Sequence, residues 1–284
     1  MAKNFIAFDL EGPLSPQDNA YELMKLFPNG ARIFEVISRY DDLLTLEGRP
    51  DYEPGDTLAL IVPFLLLHGI SEDNITTLAI NARFTGGAPK LIAWLQESGW
   101  KVFCITTTYE QYALRLTQKL GIYAHNVACT PFPLNRLRQT LTEDDIARLQ
   151  LVEEGILSMQ PVRDDARIKQ SLDEFFWKQL PSTDLGEAIT EVKPVGGRRK
   201  LAALNKFATA QDQPISKWVV VGDSITDFRM LQAVEEAGGL AIAFNANEYA
   251  LPYATIGLAS TQISNLTEVF QAWQKGQRKE VERA

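Results

Sequence analysis

Asn4-Phe5-Ile6-Ala7-Phe8-Asp9-Leu10-Glu11-Gly12-Pro13-Leu14 is the stretch whose reading decides the fold. A short apolar run of strand-forming residues ends in two carboxylates one residue apart, and glycine and proline then break the strand. Side chains alternate along a strand, so Asp9 and Glu11 point the same way if the pairing holds that far. In open α/β sheets the functional crevice lies beyond the carboxyl ends of the strands. Two like charges there cost stability, which points to a cation or a charged reaction. The competing reading is a strand that ends in a solvated acidic turn.

Working outward, 284 residues suffice for one large domain or a core with inserts. The net charge of −8 argues against a general nucleic-acid binder, which would be basic. The two cysteines, Cys104 and Cys129, read as reduced thiols of a cytoplasmic protein and not as a disulfide framework. The first strand begins within a few residues, with no basic and apolar signal region before it. The apolar run Leu58 to Leu67 is too short to span a membrane and holds Pro63, so it reads as a buried helix and no membrane partner is expected.

After the first strand comes a helical region, roughly 18–83. Ile33, Phe34, Val36, Ile37, Tyr40, Leu43 and Leu44 recur at helical spacing, and Arg49 to Gly55 is a proline- and glycine-rich loop. Ala88 to Ser98 is a helix ended by Gly99, Lys101 to Ile105 a strand followed by Thr106-Thr107-Thr108, and Tyr109 to Leu120 the next helix. This alternation predicts a parallel sheet. From His125 to Val192, where Pro131, Pro133 and Pro161 punctuate the chain, the pattern predicts two helices, Glu143–Leu157 and Asp164–Leu180. Lys200 opens a helix. Trp218 to Val221 is a buried strand running into Gly222-Asp223-Ser224-Ile225-Thr226-Asp227, and a helix follows from Phe228. Leu240–Phe244 and Thr255–Ala259 read as further strands, Asn265–Lys275 as the last helix, and 277–284 as a frayed charged tail.

Polar groups of a matching kind thus stand at the strand ends: Asp9 and Glu11, Thr106, then Asp223 and Asp227, with Lys200 at a helix start. Carboxylates are the oxygen ligands that a hard cation such as Mg²⁺ prefers. A hydroxyl and a lysine beside them make a phosphoryl site in which a carboxylate serves as nucleophile. His68 and His125 are isolated and offer no zinc site.

These residues, in this order, resemble the haloacid dehalogenase (HAD) superfamily of phosphotransferases. The first motif stands as Phe8-Asp9-Leu10-Glu11-Gly12, the second as Thr106, the third as Lys200 and the fourth as Gly222-Asp223-Ser224-Ile225-Thr226-Asp227. The resemblance covers the core, about half of the chain. It implies that Asp9 attacks phosphorus and that Glu11 protonates the leaving oxygen and then activates water. Thr106 would hydrogen-bond a phosphoryl oxygen and Lys200 would hold the phosphate and the charge of the nucleophile. Asp9, the backbone carbonyl of Glu11, Asp223 and Asp227 would hold Mg²⁺, the last directly or through its water. Glu11 departs from the usual Asp. Enolase-phosphatases and a phosphoserine phosphatase-like group with Asp-Leu-Glu-Gly share that change, and the latter also has a helical insert after the first strand. Pro13 replaces the usual Thr or Val and stiffens the turn.

Strand register decides which of Thr106, Thr107 and Thr108 faces the phosphate, and Lys193, Arg198 and Arg199 compete with Lys200. Gly196-Gly197 lacks the spacing of a phosphate-binding loop. Arg32, Arg39 and Arg83 could meet an anionic substrate or lie on the surface. The expectation is a Rossmann-like α/β core over 1–14, 86–125 and 193–284, with a helical cap over 15–85 and a second helical insert over 126–192. The expected function is Mg²⁺-dependent hydrolysis of a small phosphorylated metabolite. The alternatives are transfer of the phosphoryl group to an alcohol, or non-catalytic binding of Mg²⁺ or a phosphorylated ligand. A homodimer is plausible.

Overall fold

The computed structural model describes residues 4–159, 161–162 and 164–283. Six strands form one parallel sheet: β1 (Asn4–Phe8), β2 (Trp100–Tyr109), β3 (Val127–Thr130), β4 (Trp218–Gly222), β5 (Leu240–Phe244) and β6 (Ile256–Leu258). Their order is β3-β2-β1-β4-β5-β6. The central strands are apolar on both faces, as a sheet covered on both sides demands. Phe5, Ala7, Phe103, Trp218 and Val220 pack on one face against Leu204 and Met230. Ile6, Phe8, Val219 and Val221 pack on the other, with Leu91, Phe270 and Trp273. The chain departs from β1 in one direction and returns to its other side at β4. The strand order therefore reverses between β1 and β4, where such sheets place their crevice.

The segment between β1 and β2 that the sequence reads as a cap holds helices α1 (Asn19–Met24), α2 (Gly30–Leu46), α3 (Thr57–Leu67) and α4 (Glu72–Asn81). Helix α3 is buried nearly all round despite Pro63. The two connections of this cap to the core are tied together: Thr85 donates its backbone N–H to Leu14 at 2.9 Å, and the Ser15 hydroxyl bonds the Arg83 carbonyl at 3.0 Å. Helices α5 (Ala88–Glu97) and α6 (Glu110–Lys119) flank β2.

The second insert needs a correction at its start. The sequence reads 126–192 as a second helical insert with two helices, yet Val127–Thr130 is β3, paired with β2. Four residues on a sheet edge, most of them half-exposed, make no continuous apolar run, so the strand carries no signal of its own. The insert proper holds α7 (Leu134–Gln139), α8 (Glu143–Leu157), α9 (Asp165–Glu174) and α10 (Asp184–Ile189). The helix expected through Leu180 leaves regular geometry after Glu174, widens into a π turn over Phe175–Gln179 and tightens into a 3-10 turn over Leu180–Ser182, where Pro181 sits in the first turn and needs no N–H partner. Helices α8 and α9 pack on α2, and α7 and α8 on α3. Long-range pairs reinforce this. Tyr40 donates to Asp173, and the Trp177 indole donates back to the Tyr40 hydroxyl at 2.6 Å. Arg39 pairs with Asp165 at 2.7 Å. His68 stacks on Phe27 and bonds Glu153 at 2.7 Å, so it is a structural residue.

The core resumes with α11 (Arg198–Ala210), α12 (Phe228–Glu236) and α13 (Thr267–Gly276). The tail, expected to fray, forms a short helix α14 (Arg278–Val281), held where Arg278 pairs with Glu235 and Glu282. No single helix among the described residues is long and apolar enough to cross a membrane.

Candidate active site

Asp9 follows β1 directly, and its backbone N–H still pairs with Val221 of β4 at 2.9 Å. Its carboxylate is therefore delivered to the sheet edge at the point of strand reversal. One oxygen accepts from the Leu10 N–H at 2.7 Å and the other from Lys200. Lys200 lies in the first turn of α11 and has no exposed surface. Its ammonium reaches Asp9 and, at 2.8 Å, Asp227. A buried lysine persists only with such compensation. Burial alone would lower its pKa, but the Asp227 and Asp9 charges outweigh that and raise it.

Asp227 is also fully buried. Its second oxygen accepts the backbone N–H groups of Asp223 and Ser224 at 3.1 and 3.2 Å, which shapes the loop after β4. Asp223 is different. Among the described residues its side chain has no hydrogen-bond donor, and it faces the cleft across Gly12. Burial, then the charges of Asp227 and Asp9, push its carboxyl up to about 9. Oxygens of Asp9, Asp223 and Asp227 lie within 4.8 Å of one another. An undonated carboxylate among like charges, with hard oxygen donors on three sides, fits a divalent cation such as Mg²⁺. Gly12 makes room for this arrangement: its φ is +82°, and a Cβ there would lie 2.2 Å from an Asp223 oxygen.

The Glu11 carboxylate stands outside that cluster. It accepts the Asn19 N–H at 2.5 Å, at the start of α1. Burial and the nearby Asp18 charge push its carboxyl up, so that it holds a proton more readily than a free glutamate. The three threonines lie within β2, which runs past Ile105 to Tyr109. Thr106 and Thr108 are fully buried, and their hydroxyls bond each other at 3.0 Å. Thr107 lines the cleft and donates to the Val195 carbonyl at 3.2 Å. Of Arg32, Arg39 and Arg83, none lines the cleft, which has a volume of about 500 Å³.

Two residues of the cap loop escaped the sequence reading. Glu53 accepts from the Arg198 backbone N–H at 2.8 Å and pairs with its side chain, and Asp56 pairs with Arg199. Two of the rivals of Lys200, Arg198 and Arg199, thus clamp the loop 49–56 onto the helix that carries it. Gly196 and Gly197 allow the approach. A Cβ on Gly196 would lie 1.9 Å from the Pro54 carbonyl oxygen, and one on Gly197 would lie 2.1 Å from Glu53. The glycine pair was the only trace of this contact in the sequence. Asp41 and Phe34, on the cap wall of the cleft, gave no signal beyond helical periodicity.

No family model matches the chain, and no curated protein does. Solved structures do. Gene product AF1437 from Archaeoglobus fulgidus is 30% identical over 99% of this chain and 86% of that one, with a TM-score of 0.86. A phosphoserine phosphatase captured as an analogue of its phospho-aspartyl intermediate is 16% identical, covering 94% and 99%, with a TM-score of 0.60. A phosphoserine phosphohydrolase-like protein from Francisella tularensis is 15% identical, covering 94% and 99%, with a TM-score of 0.53.

Proposed function

Since the chain belongs to one family with the Archaeoglobus gene product and has the phosphoserine phosphatase-like fold of the HAD superfamily, we propose that it is a Mg²⁺-dependent phosphatase of small phosphomonoesters. The observation that carries this reading is the buried Asp9–Lys200–Asp227 chain, with the undonated Asp223 beside it at the point of strand reversal. A cation held by Asp9 and Asp223, and oriented by Asp227, would offset phosphate charge. Asp9 supplies the carboxylate that attacks phosphorus, forming an aspartyl-phosphate as the ester oxygen leaves. Lys200 keeps that carboxylate ionised and positioned. Glu11 gives its proton to the leaving alkoxide, then takes one from the water that cleaves the acyl phosphate and frees inorganic phosphate. Thr106 or its neighbour Thr107 donates a hydrogen bond to a phosphoryl oxygen. The cap limits the substrate to a small molecule and keeps bulk water from the intermediate.

The test is phosphate release from p-nitrophenyl phosphate with and without Mg²⁺, using Asp9→Asn as control. Release is expected to need Mg²⁺ and to fall at least about a thousandfold in Asp9→Asn, as loss of a nucleophile implies. Absence of release from folded protein, or an Asp9→Asn enzyme as active as its parent, would sink the reading. Appearance of a phosphorylated alcohol in place of phosphate would make the protein a transferase.

A further inference from the structure

The wall of the cleft opposite the phosphoryl machinery belongs to the cap, and its chemistry is one-sided. The Asp41 carboxylate lines it from α2, with Asp18 at the rim. Asp41 accepts from the Tyr52 hydroxyl and from Thr57, and it has no cationic partner among the described residues. Burial pushes its carboxyl up only to about 6, so it remains ionised at neutral pH. None of the described residues lining the cleft is Arg, Lys or His. Asp9 and Asp227 have Lys200, and with Asp223 would have a divalent cation, to offset them, whereas Asp41 has neither.

A second feature points the same way. Phe34, one helical turn plus three residues before Asp41 on α2, presents a half-buried ring to the same cleft. An aromatic ring and an uncompensated carboxylate on one wall, two helical turns or about 10 Å apart along the axis, can share an ammonium group placed between them, through ring quadrupole and ion pair together. A carboxylate on the leaving group would instead meet like charge, with no guanidinium among the described lining residues to receive it.

We infer that the preferred substrates are phosphate esters of amino alcohols without a carboxylate, their ammonium group held between Asp41 and Phe34. This rests on the phosphatase reading above and adds the identity of the leaving group. Asp41 is then a specificity residue that selects by charge and takes no part in bond making.

The experiment compares kcat/KM for three esters of similar size in Mg²⁺: ethanolamine phosphate, glycerol phosphate and phosphoglycolate. p-Nitrophenyl phosphate serves as the measure of phosphatase activity itself. Ethanolamine phosphate is expected to exceed glycerol phosphate by about tenfold or more, the scale of one charge-assisted contact, with phosphoglycolate lowest. Asp41→Asn is expected to collapse that ratio by raising KM for the amino ester. Ser38→Lys, which puts an ammonium on the same wall one turn before Asp41, should collapse it independently if Asp41→Asn does not fold. Turnover of p-nitrophenyl phosphate with glycerol phosphate or phosphoglycolate preferred overturns this inference alone. So does an amino-ester preference that survives in a folded variant. Turnover of no ester overturns the phosphatase reading and this inference with it.

Discussion

Lys200 is held by two carboxylates without access to water, so its charge is the compensation for both. Lys200→Met should leave Asp9 and Asp227 unpaired and cost about 3–5 kcal/mol at pH 7, measured by denaturant unfolding. Asp9 in such a variant has its folded-state pKa raised above the unfolded one, so the loss should shrink as pH falls and the carboxyls take up protons. A penalty that does not change with pH would mean that packing, not charge, is what Lys200 supplies. Gly12 makes a second residue-level case. Gly12→Ala adds roughly 1–2 kcal/mol of backbone strain and pushes on Asp223. The Mg²⁺ concentration for half-maximal activity should rise at least about tenfold, and an unchanged Mg²⁺ titration would remove Asp223 from the ligand set. These residues were readable from sequence for a physical reason: strands buried on both faces are apolar runs, and the charges that punctuate their ends stand out. Which threonine faces the cleft was not readable, because a single residue of register exchanges wall for core. Separate Thr106→Ala and Thr107→Ala variants resolve it, since only the phosphate-facing one should lose activity about a hundredfold at constant stability.

At the scale of elements, the loop 49–56 matters more than its composition suggests. Proline and glycine marked it as a loop, but its docking onto α11 joins residues more than 140 positions apart, and no local pattern encodes that. Glu53→Ala removes the acceptor of the Arg198 N–H and its ion pair. The expected result is faster proteolytic cleavage within 49–56 and a lower kcat, because the loop and the Lys200 helix then move separately. Unchanged cleavage and kinetics together would show that the clamp is decorative. The strand β3 was missed for the converse reason. A four-residue edge strand owes its conformation to β2 and has little apolar patterning of its own.

Over the whole molecule, the helical segments on either side of β2 are legible as helices in the sequence, but their partnership is not. Tyr40 links them through one hydroxyl that donates to Asp173 and accepts from Trp177. Tyr40→Phe should cost about 1–2 kcal/mol and lower the melting temperature by roughly 3–6 °C, and a shift under 1 °C would show that the inserts do not depend on this bond. Apolar contacts of α2 and α3 with α7, α8 and α9 complete the junction.

That junction constrains how such a protein can be re-engineered or can diverge. A grafted cap taken without residues 131–192 would arrive with the apolar flank of α3 bare and with His68, Arg39 and Tyr40 stripped of their counterparts. The exchangeable module is discontinuous, two segments of chain that have to travel together.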